Sequence, residues 1–226
     1  MTDPRAVNLI ADLRKQGITD ERVLEAFAKI PREAFVEQPF ETSAYENTAL
    51  PIACGQTISQ PFVVAFSTQA LALDPKDRVL ELGTGSGYQA AILSPLCRMV
   101  YTVERHKPLL AHAEQRFKQV GLHNIVTRHA DGLKGWPEVA PFDKILLSAA
   151  VREVPQILID QLKPNGILVA PVGEDASAAR GVFQSLTKII KGDAGIKRET
   201  LLPVMFVPMI EGLPQNARNT EERGKT

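Results

Sequence analysis

Two cysteines, four histidines and one tryptophan are all that these 226 residues carry of those types. Cys54 and Cys97 have no partner spacing, which favours two reduced thiols over a disulfide or a thiolate metal site. His106, His112, His123 and His129 show no ligand spacing such as H-E-x-x-H, so no metal is expected. An excess of charge is missing too: 26 Lys plus Arg balance 26 Asp plus Glu. Chains built to hold polyanions carry a basic excess, so nucleic acid is not the expected partner. No apolar run approaches the ~20 residues of a membrane helix, and MTDPRAV lacks the apolar core of a signal peptide. The expectation is a cytoplasmic monomer that engages neither membrane nor nucleic acid.

What is present is a 44% hydrophobic content, enough for one sizeable domain. The first third reads as helical. Pro4 opens a pattern with Val7, Ile10 and Leu13 on one face, stopped at Gly17. Thr19 is the expected cap of a second helix with the stripe Val23, Phe27 and Ile30. Residues 31–55 lack periodicity and read as a long connection with a short helical piece. Phe62, Phe66, Ala70 and Leu73 give another helical face.

From Arg78 the texture changes. VLEL (79–82), MVYTV (99–103), NIVTRH (124–129), KILLSA (144–149) and GILVAP (166–171) read as buried strands. Helices lie between them: a short one ending at Ser94, one over 107–120, and one over 155–162. Residues 182–190 and 199–210 suggest a closing antiparallel pair. This rhythm predicts an α/β fold, a doubly wound, mostly parallel seven-stranded sheet with an N-terminal helical annex. The expected layout is a single domain over 1–210, with annex and substrate side in 1–75 and a Rossmann-like core in 76–210. The polar tail over 211–226 is expected to be disordered.

ELGTGSGY (81–88) leaves the first of these strands. Glycines there let a ligand approach the backbone with no Cβ in the way, at the sheet end where such folds bind ligands. Glu104 ends the next strand, where a carboxylate can accept both ribose hydroxyls of a nucleoside cofactor. One register, Gly85, Gly87 and Ala90, fits a dinucleotide fingerprint and hence an NAD-dependent dehydrogenase. The other, Glu81 with Gly83, Gly85 and Gly87, fits methyltransferases that use S-adenosylmethionine. The annex, Asp131-Gly132 after the third strand and the acid in PFDKILLSAA favour the second. The plainer readings are a tight turn for the glycines, a solvated charge for Glu104 and a turn-forming Asp-Gly for Asp131. The residues after strand four read Ser148-Ala149-Ala150-Val151, not the aromatic-ended tetrapeptide of base-amine methylation, and neither cysteine follows a proline as cytosine C5 chemistry requires. Oxygen acceptors remain.

GQTISQPFVVA, VLELGTGSGYQAAIL, VERHKPLL, RHADGLKGW, APFDKILLSAA and LVAPVGE, with IPREAFV, AYENTALPI and VMFVPMI, closely resemble protein-L-isoaspartate O-methyltransferases from about Ile30 to Ile210. The resemblance implies methyl transfer from S-adenosylmethionine, without a metal, to the free α-carboxylate of L-isoaspartyl residues in damaged proteins and peptides. D-aspartyl residues are weaker substrates, and the ester reverts through a succinimide partly to aspartate. It implies that Ser59 is the active-site serine, with Gln56, Thr57 and Ile58 lining the site beside it. Gly83, Gly85 and Ser86 would form the cofactor loop, Glu104 the ribose carboxylate, and Asp131 with Gly132 the adenine end. It also implies an unusual order for the last two strands. Val64, Cys54 and Met205 depart from the family's usual residues, which bears on peptide affinity. A methyltransferase of small carboxylic acids and a non-catalytic cofactor module stay open beside the dehydrogenase.

The QTISQP stretch, the most specific mark of that resemblance, holds no acid or base. An α-carboxylate has a pKa near ~3.5 and arrives ionised, so no base is needed. Ser59 can position it, or can be only the N-cap of the helix that begins around Pro61.

Overall fold

The computed structural model describes residues 3–173 and 184–214. Asp3 caps α1 (Pro4–Lys15) by accepting from the Arg5 N–H. Its buried face is Ala6, Leu9 and Leu13; Val7 is exposed and Ile10 half-buried, so of the expected stripe only Leu13 is fully buried. Helix α2 (Glu21–Lys29) is capped by Asp20, whose carboxylate accepts from Arg22, rather than by Thr19. The Thr19 N–H is instead taken by Gln69 Oε1 at 2.7 Å. Val23 and Phe27 are buried as expected.

The segment expected to be irregular holds two 3-10 turns, Arg32–Phe35 and Gln38–Ser43, and a short hairpin. Strand β1 (Leu50–Ile52) pairs antiparallel with β2 (Gln56–Ile58), Leu50 facing Ile58 and Ile52 facing Gln56. Helix α3 (Pro61–Ala70) follows at once. It buries Val64, Ala65 and Thr68, while Phe62 and Phe66 stack on each other only half-buried.

The large sheet contains β3 (Arg78–Leu82), β4 (Met99–Glu104), β5 (Ile125–His129), β6 (Phe142–Leu147), β7 (Leu162–Val172), β8 (Gln184–Gly192) and β9 (Gly195–Val204). Its order is β5-β4-β3-β6-β7-β8-β9. The first five strands are parallel, and β8 and β9 close the edge as an antiparallel hairpin in chain order. Strand β7 starts at Leu162, earlier than expected, because α6 (Gln156–Asp160) is only one turn long. Helices α4 (Tyr88–Leu93) and α5 (Lys107–Gln119) complete the crossovers.

Alternation along the central strands divides the core. Val79, Leu146 and Val169 pack with α1 to α5, whereas Leu80, Leu82, Ile145 and Leu168 pack with α6 on the other face. The annex and the sheet share the first of these cores: Leu13 and Phe27 cluster with Tyr88, Ile92 and Val100. At the described start of the tail, 211–214 form a bend; the rest of that expectation falls outside the described residues.

Candidate active site

The hairpin carries the QTISQP stretch to the carboxyl end of the sheet. Its turn bends through Cys54 at φ 60° and Gly55 at φ 65°. Left-handed backbone suits glycine and asparagine, so Cys54 occupies a conformation that its Cβ disfavours. Ile58 is buried in the main core and anchors the strand, leaving Thr57 exposed on the opposite side. The chain then turns through Ser59 into α3, whose N-cap is Gln60 with no side-chain cap of its own. The capping role comes from Asn47, whose Oδ1 accepts from the Phe62 N–H at 2.9 Å. Ser59 is therefore not the helix cap. Its carbonyl accepts from Arg32 Nη2 at 2.9 Å, and its hydroxyl makes no hydrogen bond among the described residues.

Facing this segment is the glycine loop at the end of β3. Gly83, Gly85 and Gly87 lie at φ 99°, 53° and 92°. A Cβ on Gly87 would stand 2.8 Å from the Phe117 ring, so this glycine sets the packing of α4 against α5. Glu104, 5% exposed at the end of β4, accepts from the Gly85 N–H at 2.8 Å and the His106 N–H at 2.9 Å. Each carboxylate oxygen is fixed by one amide and keeps a lone pair for a ligand hydroxyl.

Beneath the loop lies Glu81, fully buried, accepting from Thr102 Oγ1 at 2.6 Å and Ser148 Oγ at 3.3 Å. Thr102 Oγ1 lies 2.6 Å from Thr84 Oγ1, so one chain of polar groups links the cofactor loop to the end of β6. Burial pushes the Glu81 carboxyl up to about 8, and it is mostly protonated at neutral pH.

Between hairpin and loop opens a cleft of about 840 Å³, its open mouth included. Gln56, Thr57, Ile58, Ser59, Gly83, Gly85, Ser86, Glu104 and Gly132 all line it. Asp131 does not. Its Oδ1 accepts from Leu133 N at 3.0 Å and its Oδ2 from Gly212 N at 2.9 Å, so the carboxylate fastens the C-terminal segment instead.

That segment was not foreseen as part of the site. Residues 207–210 run across the cleft, with Met209 Sδ 3.7 Å from where a Cβ on Gly132 would be. Ala150 N donates to Val207 O, Met209 N to Ala150 O, and Arg105 Nε to Gly212 O. Ser148 and Ala149 after β6 complete the wall. VMFVPMI is apolar and reads as strand, and nothing in its pattern says that it stops pairing at Val204. A groove beside the cleft shares Thr57, Ser59, Ser148 and Val207 with it and continues past Phe62 and the exposed Met205. None of the described residues lining this groove is charged. Val64 is buried and reaches the cleft wall, and Cys54 is exposed beside the hairpin turn.

The residues fit an adenosine cofactor. A carboxylate, Glu104, is held at the end of β4, the glycines at 83 and 85 leave room beside it, and an apolar strap lies opposite. Parallel order, glycine loop and terminal hairpin together define the class I methyltransferase fold. The sequence model of protein-L-isoaspartate(D-aspartate) O-methyltransferases matches residues 5–213. A protein-L-isoaspartate O-methyltransferase of Paramagnetospirillum magneticum is 55% identical over 94% of this chain and 98% of its own. One from Parvibaculum lavamentivorans is 51% identical over 93% and 94%. A Plasmodium falciparum structure described as a protein-L-isoaspartate O-methyltransferase, in complex with S-adenosyl-L-homocysteine, superposes with a TM-score of 0.77 at 27% identity, over 90% of this chain and 97% of that one. This chain belongs to the protein-L-isoaspartate(D-aspartate) O-methyltransferase family. Membership decides between the two glycine registers in favour of methyl transfer over hydride transfer.

Proposed function

We propose that this protein repairs damaged proteins by methylating the free α-carboxylate of L-isoaspartyl residues, and D-aspartyl residues more weakly. The ester then closes to a succinimide that opens partly to normal aspartate. The observation that supports this reading best is the juxtaposition of two segments. An uncharged hydroxyl-bearing segment, residues 56–59, faces a glycine loop and ribose-type carboxylate across one cleft. S-adenosylmethionine, when bound, supplies an activated methyl group on a sulfonium. Glu104 and the loop at Gly83, Gly85 and Ser86 hold that cofactor, and Gly132 with the strap encloses its adenine end. Asp131 acts there through Gly212, by fixing the strap.

The acceptor is already anionic, so no group has to remove a proton. Thr57 and Ser59 orient the carboxylate, with the free Ser59 hydroxyl donating one hydrogen bond. Alignment of acceptor and methyl group accounts for much of the acceleration, on the order of 7–11 kcal/mol in the best-aligned cases. The neutral groove holds the chain on either side of the damaged residue. Residues 1–210 act as one domain, since annex and sheet share a core. A cytoplasmic location suits the exposed free Cys54.

The test supplies labelled S-adenosylmethionine and an isoaspartyl peptide and counts base-labile methyl ester. Ester should form on that peptide and not on its aspartyl counterpart. Ester on small carboxylic acids but none on the peptide would favour a small-molecule methyltransferase and overturn the proposal.

A further inference from the structure

Arg32 is fully buried, yet it has no ion-pair partner among the described residues. Its Nε donates to Ala44 O at 2.7 Å and its Nη2 to Ser59 O at 2.9 Å. The guanidinium lies 4.7 Å from the centre of the Tyr88 ring, and Tyr88 lines the cleft. Its Nη1 has no hydrogen-bond partner among the described residues. The neighbouring acid, Glu33, is engaged elsewhere, accepting from the Tyr45 hydroxyl. Burying a cation without an anion is costly, and replacing it by a well-packed neutral side chain is commonly stabilising. Stability alone therefore accounts poorly for an arginine here. Two carbonyls could be satisfied by a neutral amide.

The proposed reaction brings an anion, the substrate α-carboxylate, to Ser59, whose carbonyl Arg32 holds from behind. We propose that Arg32 is a positioning residue that supplies the fixed positive charge behind Ser59, and that it selects the α-carboxylate of the substrate over its neutral ester. This rests on the carboxyl-methylation reading of the same site. The charge acts through the Ser59 backbone and across low-dielectric protein, where a cation is screened little. Burial pushes the Arg32 pKa down, but a guanidinium stays protonated in proteins. Methylation removes the substrate's charge, and the ester then loses the attraction that held the acid. The same arginine thus favours substrate entry and product departure.

The experiment uses the full chain with S-adenosylhomocysteine bound, so that no sulfonium contributes and no reaction occurs. Calorimetry compares an isoaspartyl peptide with the same peptide bearing an α-carboxamide. The unaltered enzyme should bind the carboxylate at least about tenfold more tightly, the size expected of one uncompensated charge contact. Arg32→Met should bring the two peptides within about twofold of each other while leaving S-adenosylhomocysteine affinity unchanged, and Arg32→Lys should keep the preference. Equal binding of the two peptides by the unaltered enzyme overturns the proposal and needs no variant to fold. A preference that survives in folded Arg32→Met overturns it too, and leaves Arg32 a mere staple for Ala44 and Ser59. Failure of the unaltered enzyme to methylate the isoaspartyl peptide would instead strike the parent reading.

Discussion

Ser59 lines both the cleft and the neutral groove, and its side chain caps nothing. Removing the hydroxyl should therefore leave the fold alone: Ser59→Ala is expected to lower turnover tenfold or more, with the melting temperature within about 2 °C of the parent. An early-melting variant with normal turnover per folded molecule would refute the role. Glu104→Ala should raise the dissociation constant for S-adenosylhomocysteine by about 100-fold in calorimetry, since two hydrogen bonds to a charged group vanish. Unchanged affinity removes Glu104 from the site. Glu81 offers a pH test. Its carboxyl ionises near 4.5 in the unfolded chain and near about 8 in the fold. The folded state thus holds a proton that the unfolded state releases, and stability contributed by Glu81 falls as pH rises from 4.5 to 8 and is gone above that. Glu81→Gln mimics the protonated form. Its melting temperature should pull ahead of the parent's across that window and keep a constant lead above it. At this scale the glycines and Glu104 stand in a pattern with its own chemistry, whereas Ser59 is marked as a site residue only by the family resemblance, its own setting before Pro61 suiting a helix cap as well. Asp131 was legible as an acid near the site but not in its task, because its partner Gly212 is 81 residues away in sequence. Arg32 stands in IPREAFV, one of the segments that resemble the family, but its burial is set by tertiary packing and leaves no mark in the sequence.

At the scale of elements, the hairpin and the start of α3 behave as one unit. Asn47 reaches from before β1 to accept the Phe62 amide, so hairpin and helix are held in fixed relation. Asn47→Ala should lower stability by about 1 kcal/mol, the usual cost of a lost cap, and raise the KM for peptide more than that for cofactor. A change in stability without any change in peptide KM would separate the cap from the groove. The hairpin escaped the sequence reading because three-residue strands interrupted by Pro51, Cys54 and Gly55 show too little alternation. The parallel strands did not escape, because VLEL and KILLSA are apolar on both faces. The end of α6 was misjudged since Leu158, Ile159 and Leu162 fit one helical face as well as a helix followed by a strand.

For the molecule as a whole, the strap decides how the site closes. Asp131 and Arg105 grip the two sides of Gly212, and Ala150 grips Val207 and Met209. Asp131→Ala is expected to speed hydrogen exchange at the Met209 amide and to weaken S-adenosylhomocysteine binding by about tenfold, through one lost charge-assisted bond. Protection at Met209 that does not change would show the strap to be held by Ala150 alone. The strand order was largely readable from the βαβ rhythm. The path of the chain after Val204 was not, since only tertiary partners draw it over the cleft. That path has a consequence for synthesis. Walls of the cleft come from residues 56–64, from 83–106, from 132, from 148–149 and from 207–210. A growing chain can fold its parallel strands early, yet it has no finished cleft until the strap has left the ribosome. Cofactor turnover consequently begins only after nearly all of these residues have been made, and methylation reports directly on how many molecules have reached the native state.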